Sequence, residues 1–289
     1  MLIRIFGITT PLGDYLYKNI LKNLYENINC YSRSDKRYIF LDLSNIKHPN
    51  FKKECNHEEI WIFLCPIWEI VNFLNNLINE ENYKKFQIKG IICCSYTSVI
   101  TKKYSWHNYD KKLTSTISSA EQSLIKICTL NNICISIIRP TLIYGNSGLY
   151  KDNNINRIFK ICQKLPFIIL PKETGERQPI HISQLSAIIN KELNLIRFSK
   201  DKSQQSILNI GGDEILSYEM ILKSLLIKKN IKKSILTINS DFFFLILSPL
   251  LILNSRLYSE LLRIKSDLSG FPKSNDYLKI PPKKFNDLI

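Results

Sequence analysis

The sequence has few features that would mark a disulfide-stabilised, metal-binding or nucleic-acid-binding protein. Its eight cysteines form no C-x-x-C pair, and most lie inside apolar runs, which is typical of reduced thiols in a core. His48, His57 and His107 lack metal-ligand spacing, so we predict no metal. No zinc-finger spacing, basic helix or aromatic RNA-binding signature occurs, which argues against a nucleic-acid partner.

No apolar run is long enough to cross a membrane. The most apolar stretch, 242–253, is about twelve residues long and is interrupted by Pro249, whereas a spanning helix needs ~20. We expect it to form a buried helix or a contact with a membrane surface or partner protein. The N-terminal run Leu2–Phe6 is too short for a signal peptide, so we expect a cytoplasmic protein.

Carboxylates are the scarcer charged groups, with 25 Asp and Glu against 40 Lys and Arg, for a net charge of +15. The basic residues are scattered through a chain rich in Lys, Asn and Ile, which favours a compositional bias over a binding face. With 289 residues and 45% hydrophobic content, the chain suits one large or two modest globular domains.

Apolar runs of strand length alternate with helical patterns. The strands are predicted at 2–6, 29–32, 38–41, 60–65, 90–95, 134–139 and 206–210, and the helices at 12–27, 70–78, 116–130, 155–164 and 182–196. This alternation predicts an α/β fold with a doubly wound parallel sheet. We expect residues 1–150, joined by 178–212, to form the sheet domain, and 151–289 to form a smaller α-rich lobe.

The loop Gly7–Gly13, GITTPLG, lies between the first strand and the first helix. A helix N-terminus presents unpaired N–H groups and a favourable dipole to a phosphate. The middle glycine usual in such loops is replaced by Thr10, whose hydroxyl could donate to a phosphate oxygen. The loop alone is weak evidence for a nucleotide site.

Further motifs follow in order along nearly the whole chain. They are Asp42-Leu43, Leu64-Cys65-Pro66, Ser95-Tyr-Thr-Ser-Val99, Ile138-Arg-Pro-Thr-Leu-Ile-Tyr-Gly145, Arg177-Gln-Pro-Ile-His-Ile182 and Asn209-Ile-Gly-Gly212. With the glycine loop, this series resembles the extended short-chain dehydrogenase/reductase superfamily, of the NAD-dependent epimerase/dehydratase type. The resemblance implies a Rossmann-type sheet that binds a nicotinamide dinucleotide at the carboxyl ends of its strands.

The matching positions imply the residues that contact the ligands. For the cofactor they are Gly7, Thr9, Thr10, Pro11, Leu12, Gly13, Asp42, Leu43, Cys65, Pro66, Ser95, Pro140, Thr141 and Leu142. Trp68, Arg177 and His181 are predicted to face the substrate. The alternatives are a core position for Trp68, a surface position for Arg177 and a structural role for His181.

The end of the second strand bears on the choice of cofactor. An acidic residue about 20 positions beyond the glycine loop suits the ribose of NAD, and an Arg suits the 2′-phosphate of NADP. Here Ser32 and Arg33 occupy this place, which favours NADP(H) over NAD(H). Asp35 is the argument for NAD, and a solvated surface loop is the alternative to either.

The catalytic Tyr and Lys of the family, four residues apart, are missing. Counting back from Glu121, their positions hold Leu113 and Ile117, which cannot transfer a proton. The chain thus resembles the atypical members that lack this pair. Tyr96 is the candidate acid, with Thr97 beside it and Lys102 as an electrostatic partner; an aromatic plug under the cofactor is the alternative for Tyr96.

Two functions follow. The first is an oxidoreductase that transfers hydride between NADP(H) and a small or nucleotide-linked substrate. The second is a non-catalytic NAD(P)-binding sensor or assembly protein that docks to a partner or membrane through 242–253.

Overall fold

The central sheet is parallel and has seven strands. The computed structural model describes residues 1–45, 57–78, 86–249, 253–254, 261 and 263–288, without the side chains of 157, 158, 161 and 162. Numbered along the chain, the strands of this sheet are β1 (Leu2–Phe6), β2 (Ile28–Ser32), β3 (Ile39–Phe40), β4 (Glu59–Phe63), β5 (Ile88–Cys94), β6 (Cys134–Pro140) and β11 (Gln205–Ile210). Their spatial order is β11-β6-β5-β4-β1-β2-β3, so the strand order reverses between β4 and β1.

Helices cover both faces of the sheet. One face carries α1 (Pro11–Leu16), which continues through a π-helical turn (Tyr17–Leu21) into α2 (Lys22–Leu24), and α7 (Ile182–Phe198). The other face carries α3 (Ile67–Ile78) and α5 (Asn108–Leu130). Central strands such as β4 read as continuous apolar runs because both of their faces are buried. The predicted doubly wound α/β fold is confirmed.

The remaining elements lie mostly after β6. The helices are α4 (Ser98–Thr101), α6 (Ile155–Lys164), α8 (Tyr218–Lys228), α9 (Ser240–Leu247), α10 (Ser274–Leu278) and α11 (Phe285–Leu288). Short strands pair as β7 (Ile143–Tyr144) with β10 (Ile180–His181), β9 (Glu176–Arg177) with β12 (Leu216–Ser217), and β8 (Ile168–Pro171) with β13 (Ile235–Ile238). One small apolar cluster joins α6, α8, α11, β7 and β12, and a second joins α8, β8 and β13.

Element boundaries differ from the predicted ones where polar residues hide the periodicity. Helix α5 begins at Asn108 rather than near 116, because its first two turns carry mostly polar side chains. The first helical unit ends at Leu24 rather than 27. Within the described ranges, no helix is long and apolar enough to cross a bilayer.

Six cysteines have described side chains, and all are unpaired: Cys30, Cys65, Cys93, Cys94, Cys128 and Cys134. Four of them are buried, and Cys65 and Cys94 are partly buried. Cys55 and the side chain of Cys162 lie outside the described part of the chain.

Candidate functional site

The two outer glycines of the loop after β1 are required by close contacts. Gly7 has φ +89°, and a Cβ there would lie 2.9 Å from the carbonyl carbon of Leu64. A Cβ on Gly13 would lie 2.6 Å from the carbonyl oxygen of Gly7. Because both contacts are with backbone atoms, larger residues would push the loop or α1 away from the sheet.

Thr10 is the N-cap of α1. Its hydroxyl accepts a hydrogen bond from the Gly13 N–H at 3.0 Å and donates to the Gly7 carbonyl at 2.9 Å. The residue after it, Pro11, has no N–H, and the Asp14 N–H bonds to the Thr10 carbonyl. The amide of Leu12 therefore has no hydrogen-bond partner among the described residues and could donate to a phosphate. The predicted donation from Thr10 to a phosphate would require its bond to Gly7 to open.

Two adjoining cavities lie at the carboxyl ends of β1 and β4. The Ser32 cavity, about 290 Å³, is lined by Phe6, Gly7, Thr9, Thr10, Tyr31, Ser32, Arg33, Ser34, Leu41, Asp42, Leu43, Leu64, Cys65, Pro66 and Glu69. The Tyr96 cavity, about 330 Å³, is lined by Thr10, Pro11, Leu12, Leu64, Cys65, Pro66, Cys94, Ser95, Tyr96, Ile143, Gly145, Lys151, Asp152, Asn153, Asn154 and Ile182. Both cavities are lined by Thr10, Leu64, Cys65 and Pro66, so one extended ligand could occupy both cavities at once.

Arg33 and Asp42 flank the Ser32 cavity. Arg33 is exposed. Hydrogen bonds from the Ser44 backbone and hydroxyl lower the pKa of Asp42, and the charge of Arg33 adds a smaller effect in the same direction. The lining of the cavity thus includes one cation, Arg33, and two carboxylates, those of Asp42 and Glu69.

Asp35, the acidic residue beyond this cavity, is already engaged. Arg37 binds its carboxylate with Nε at 3.0 Å and Nη2 at 2.5 Å, and the Tyr150 hydroxyl donates to it at 2.5 Å. These bonds hold the pKa of Asp35 well below its usual range. Sequence reasoning missed Tyr150, because it lies 115 residues from Asp35 and belongs to no motif.

Residues 145–154, which we call the bridging segment, connect the two sides of the site. Ser147 donates to the fully buried carboxylate of Asp14 at 2.7 Å, and Lys18 pairs with the same carboxylate at 2.7 Å. Reciprocal backbone hydrogen bonds between Ser147 and Tyr150 close a tight turn. The segment is therefore fixed to α1 and to the loop after β2.

The far end of the bridging segment lines the Tyr96 cavity. The exposed Lys151 supplies a cation, while Asp152 is largely buried and accepts hydrogen bonds from the backbone of Asn154 and Ile155. Tyr96 is 41% exposed, and partial burial raises the pKa of its hydroxyl. The phenol is therefore protonated at neutral pH and is a weaker acid than an ordinary tyrosine.

Lys102, predicted as an electrostatic partner of Tyr96, forms an ion pair with another residue. Its ammonium pairs with Asp110 at 2.6 Å, and both side chains are buried. Ile117 is fully within the core and Leu113 packs against the same core, as expected of apolar residues on α5. An electrostatic role of Lys102 toward Tyr96 stays a prediction, in competition with this ion pair.

Several motif residues are joined by hydrogen bonds and one ion pair next to the site. Glu121 accepts a hydrogen bond from Ser95 at 2.5 Å and forms a two-point ion pair with Arg139. Thr97 donates to the Pro140 carbonyl at 3.2 Å, and Thr141 donates to the Gln178 carbonyl. Pro140, Thr141 and Leu142 line neither cavity, so their predicted cofactor contacts stay predictions.

The predicted substrate residues lie outside both cavities. Arg177 is buried and donates to the carbonyls of Glu176, Ser266 and Arg263. His181 is the N-cap of α7, and burial lowers its pKa to about 4. Trp68 packs partly buried against the core under α3. Their substrate contacts stay predictions. Among the described residues, no group of His, Cys, Asp and Glu could hold a metal ion.

No protein-family model and no curated protein matches the sequence. Solved structures match over almost the entire chain. The UDP-N-acetylglucosamine 4-epimerase from Bacillus cereus is 15% identical, with a TM-score of 0.66 over 100% of this chain and 96% of that one. The UDP-glucuronic acid 4-epimerase from Bacillus cereus, in complex with UDP-glucuronic acid and NAD, is 16% identical, with a TM-score of 0.65 over 100% and 96%.

A third match is the UDP-glucose-4-epimerase from Stenotrophomonas maltophila with bound NAD, 10% identical, with a TM-score of 0.64 over 100% and 95% of the two chains. At these identities the likeness shows the fold. This chain has the Rossmann-type fold of these UDP-sugar 4-epimerases. The resemblance drawn from the motifs is confirmed at that level.

Proposed function

We propose that this chain binds a nicotinamide dinucleotide across the two cavities and uses it for hydride transfer to a small or nucleotide-linked substrate. The observation that carries the proposal is the position of the cavities. They meet between β1 and β4, where the strand order reverses, and sheets of this kind bind ligands at that point. Solved proteins of the same fold contain NAD, which supports the same cofactor class here.

We propose further that NADP(H) is preferred over NAD(H). Arg33 lines the Ser32 cavity and is exposed, so its guanidinium could meet a 2′-phosphate. Asp35, which could accept from the ribose hydroxyls of NAD, is engaged by Arg37 and Tyr150. Ribose binding by Asp35 would have to displace those bonds.

A bound nicotinamide dinucleotide supplies the hydride. The contribution of the chain is to orient the substrate and to move a proton at the Tyr96 oxygen. The raised pKa keeps the phenol protonated at neutral pH and makes it a weaker acid than an ordinary tyrosine, so its role would be to donate a hydrogen bond or a proton to a substrate oxygen. The proposed reaction is reduction of a carbonyl group.

A second candidate, a non-catalytic NAD(P)-binding protein, is favoured by Leu113 and Ile117. By the count from Glu121 they are predicted to occupy the positions of the family's Tyr and Lys, and Ile117 is in the core. Part of the predicted docking segment 242–253 lies outside the described residues. In its described part Phe242, Leu245, Ile246 and Leu253 are exposed and Phe243 is buried.

The test is a fluorescence titration of NADPH and NADH, followed by a Tyr96→Phe variant in an NADPH oxidation assay with carbonyl substrates. We expect NADPH to bind at least tenfold more tightly than NADH, and Tyr96→Phe to bind NADPH normally but to lose turnover. Tyr104→Phe, on an 88% exposed side chain outside both cavities, is the matched control. Absence of binding by either nucleotide below millimolar concentration would refute the shared premise; binding without turnover on any carbonyl would favour the second candidate.

A further inference from the structure

The segment between β5 and the first turns of α5, residues 96–112, exposes an unusual number of large hydrophobic side chains. Tyr104 is 88% exposed and Trp106 63%, and the exposed set also includes Tyr96, Ile100 and Tyr109. Single exposed apolar residues are normal on a soluble protein, but a cluster in one short segment indicates a contact surface. Four of these five side chains are aromatic.

The charges of the same segment are of one sign. Lys103, Lys111 and Lys112 are exposed, and none of them takes part in an ion pair among the described residues. The carboxylate of the segment, Asp110, is buried against Lys102 and presents no negative charge. The exposed charge of the segment is therefore three positive groups.

We propose that this aromatic and basic surface, residues 96–112, docks onto an anionic lipid bilayer. Tyrosine and tryptophan favour the boundary between headgroups and acyl chains, since each has an apolar ring and a polar handle. Lysines beside them attract anionic lipid headgroups. This combination matches surfaces that lie on a membrane without crossing it.

Single-stranded RNA, the other polyanion, fits the surface less well. Binding of bases requires aromatic faces that are open for stacking along a groove. Here Tyr104 projects into solvent and the ammonium of Lys103 lies over its ring, 5.5 Å from the centroid. A projecting ring with a lysine beside it suits insertion among headgroups.

The surface lies at the carboxyl edge of the sheet, beside the candidate site. Tyr96 belongs both to the surface and to the lining of the Tyr96 cavity. Docking would therefore bring the cavity close to the bilayer. The proposal concerns location and stands whether or not the chain is an enzyme.

The experiment measures binding of the full chain to vesicles of phosphatidylcholine with and without 40% phosphatidylglycerol, by co-sedimentation at about 0.1 M salt. We expect the anionic vesicles to be preferred by about a hundredfold, because each lysine near the surface contributes roughly 1 kcal/mol. Tryptophan emission should shift to the blue on binding. Trp106 is the source expected, since Trp61 is fully buried and Trp68 is partly buried.

Variants test whether binding depends on this surface or on the net positive charge of the whole chain. Lys103→Gln/Lys111→Gln/Lys112→Gln should lose most of the preference, and Trp106→Ala should weaken binding about tenfold. The matched control Lys22→Gln/Lys200→Gln/Lys202→Gln removes three exposed lysines toward the amino edge of the sheet, beyond a Debye length of about 10 Å, and should bind nearly as the parent does. All substituted side chains are exposed, so melting temperatures should stay within a few degrees.

Equal binding to both vesicle types, no binding at millimolar lipid, or equal losses in the two triple variants would overturn the proposal. So would a labelled single-stranded RNA that binds through the same three lysines while vesicles do not bind.

Discussion

The buried ion pair between Arg4 and Glu59 allows a quantitative test of the core. Both side chains are almost fully buried on the face of the sheet covered by α3 and α5, and two hydrogen bonds of 2.8 and 3.1 Å join them. The Tyr31 hydroxyl accepts from the guanidinium, and the Trp61 indole N–H donates to Glu59 at 2.7 Å. Burial works to lower the pKa of Arg4, but the hydrogen bonds and charges of Glu59 and Tyr31 together outweigh it and raise that pKa.

Glu59→Gln should lower the free energy of unfolding by about 3–5 kcal/mol, because it removes the carboxylate that pairs with the buried Arg4 guanidinium. Adding Arg4→Met should recover at least ~1 kcal/mol of this loss, since the buried charge of Arg4 is then gone. Urea denaturation followed by tryptophan fluorescence measures both.

The control is Glu58→Gln, which removes the neighbouring exposed pair with Lys89 at 3.1 Å. Exposed pairs contribute about 0–1 kcal/mol, so this variant should unfold almost as the parent does. A loss at Glu59 no larger than that at Glu58, or strict additivity of Arg4→Met and Glu59→Gln, would refute the electrostatic argument.

Three further predictions concern the site. Thr10→Gly should lower the free energy of unfolding by only a few tenths of a kcal/mol, because glycine is tolerated at an N-cap. It should tighten NADPH binding up to about tenfold, because the Gly13 N–H is then released from its bond to Thr10. Unchanged affinity in a fluorescence titration would contradict this. Because burial holds the pKa of His181 near 4 while the unfolded value is near 6.5, stability should be full above about pH 6.5 and fall by up to about 3 kcal/mol toward pH 4. In urea melts, the free energy of unfolding of His181→Asn, which keeps an acceptor at the helix N-cap, should depend less on pH. An unchanged pH dependence would show that another group causes the effect. Tyr150→Phe should loosen the bridging segment by about 0.5–1.5 kcal/mol and speed amide exchange there, and identical exchange rates would show that its hydroxyl contributes nothing.

The sheet was predictable because each of its central strands reads as an apolar run that only a doubly covered sheet can bury. Helix α6 matches its predicted bounds, and β1 does too. The glycine loop was also predictable, since Gly7 and Gly13 are fixed by contacts between neighbouring backbone segments.

The site was less predictable, because its remaining contacts join distant parts of the chain. Nothing in the sequence near Tyr150 indicates that it meets Asp35, and nothing near Ser147 indicates Asp14. The motif residue Arg139 is explained only in the fold, where it pairs with Glu121 beneath the cavity floor. Short-range patterns therefore locate the cavity edge but not the segment that closes it.

The bridging segment has a consequence for redesign. Tyr150 contacts Asp35 and Arg37 beside the Ser32 cavity, and the very next residue, Lys151, lines the Tyr96 cavity. Two adjacent residues of one short segment therefore lie at the two ends of the site. Under the proposed function, substitutions at residues 33–37 that exchange the cofactor preference should also change KM for the substrate, so the two specificities would have to be selected together.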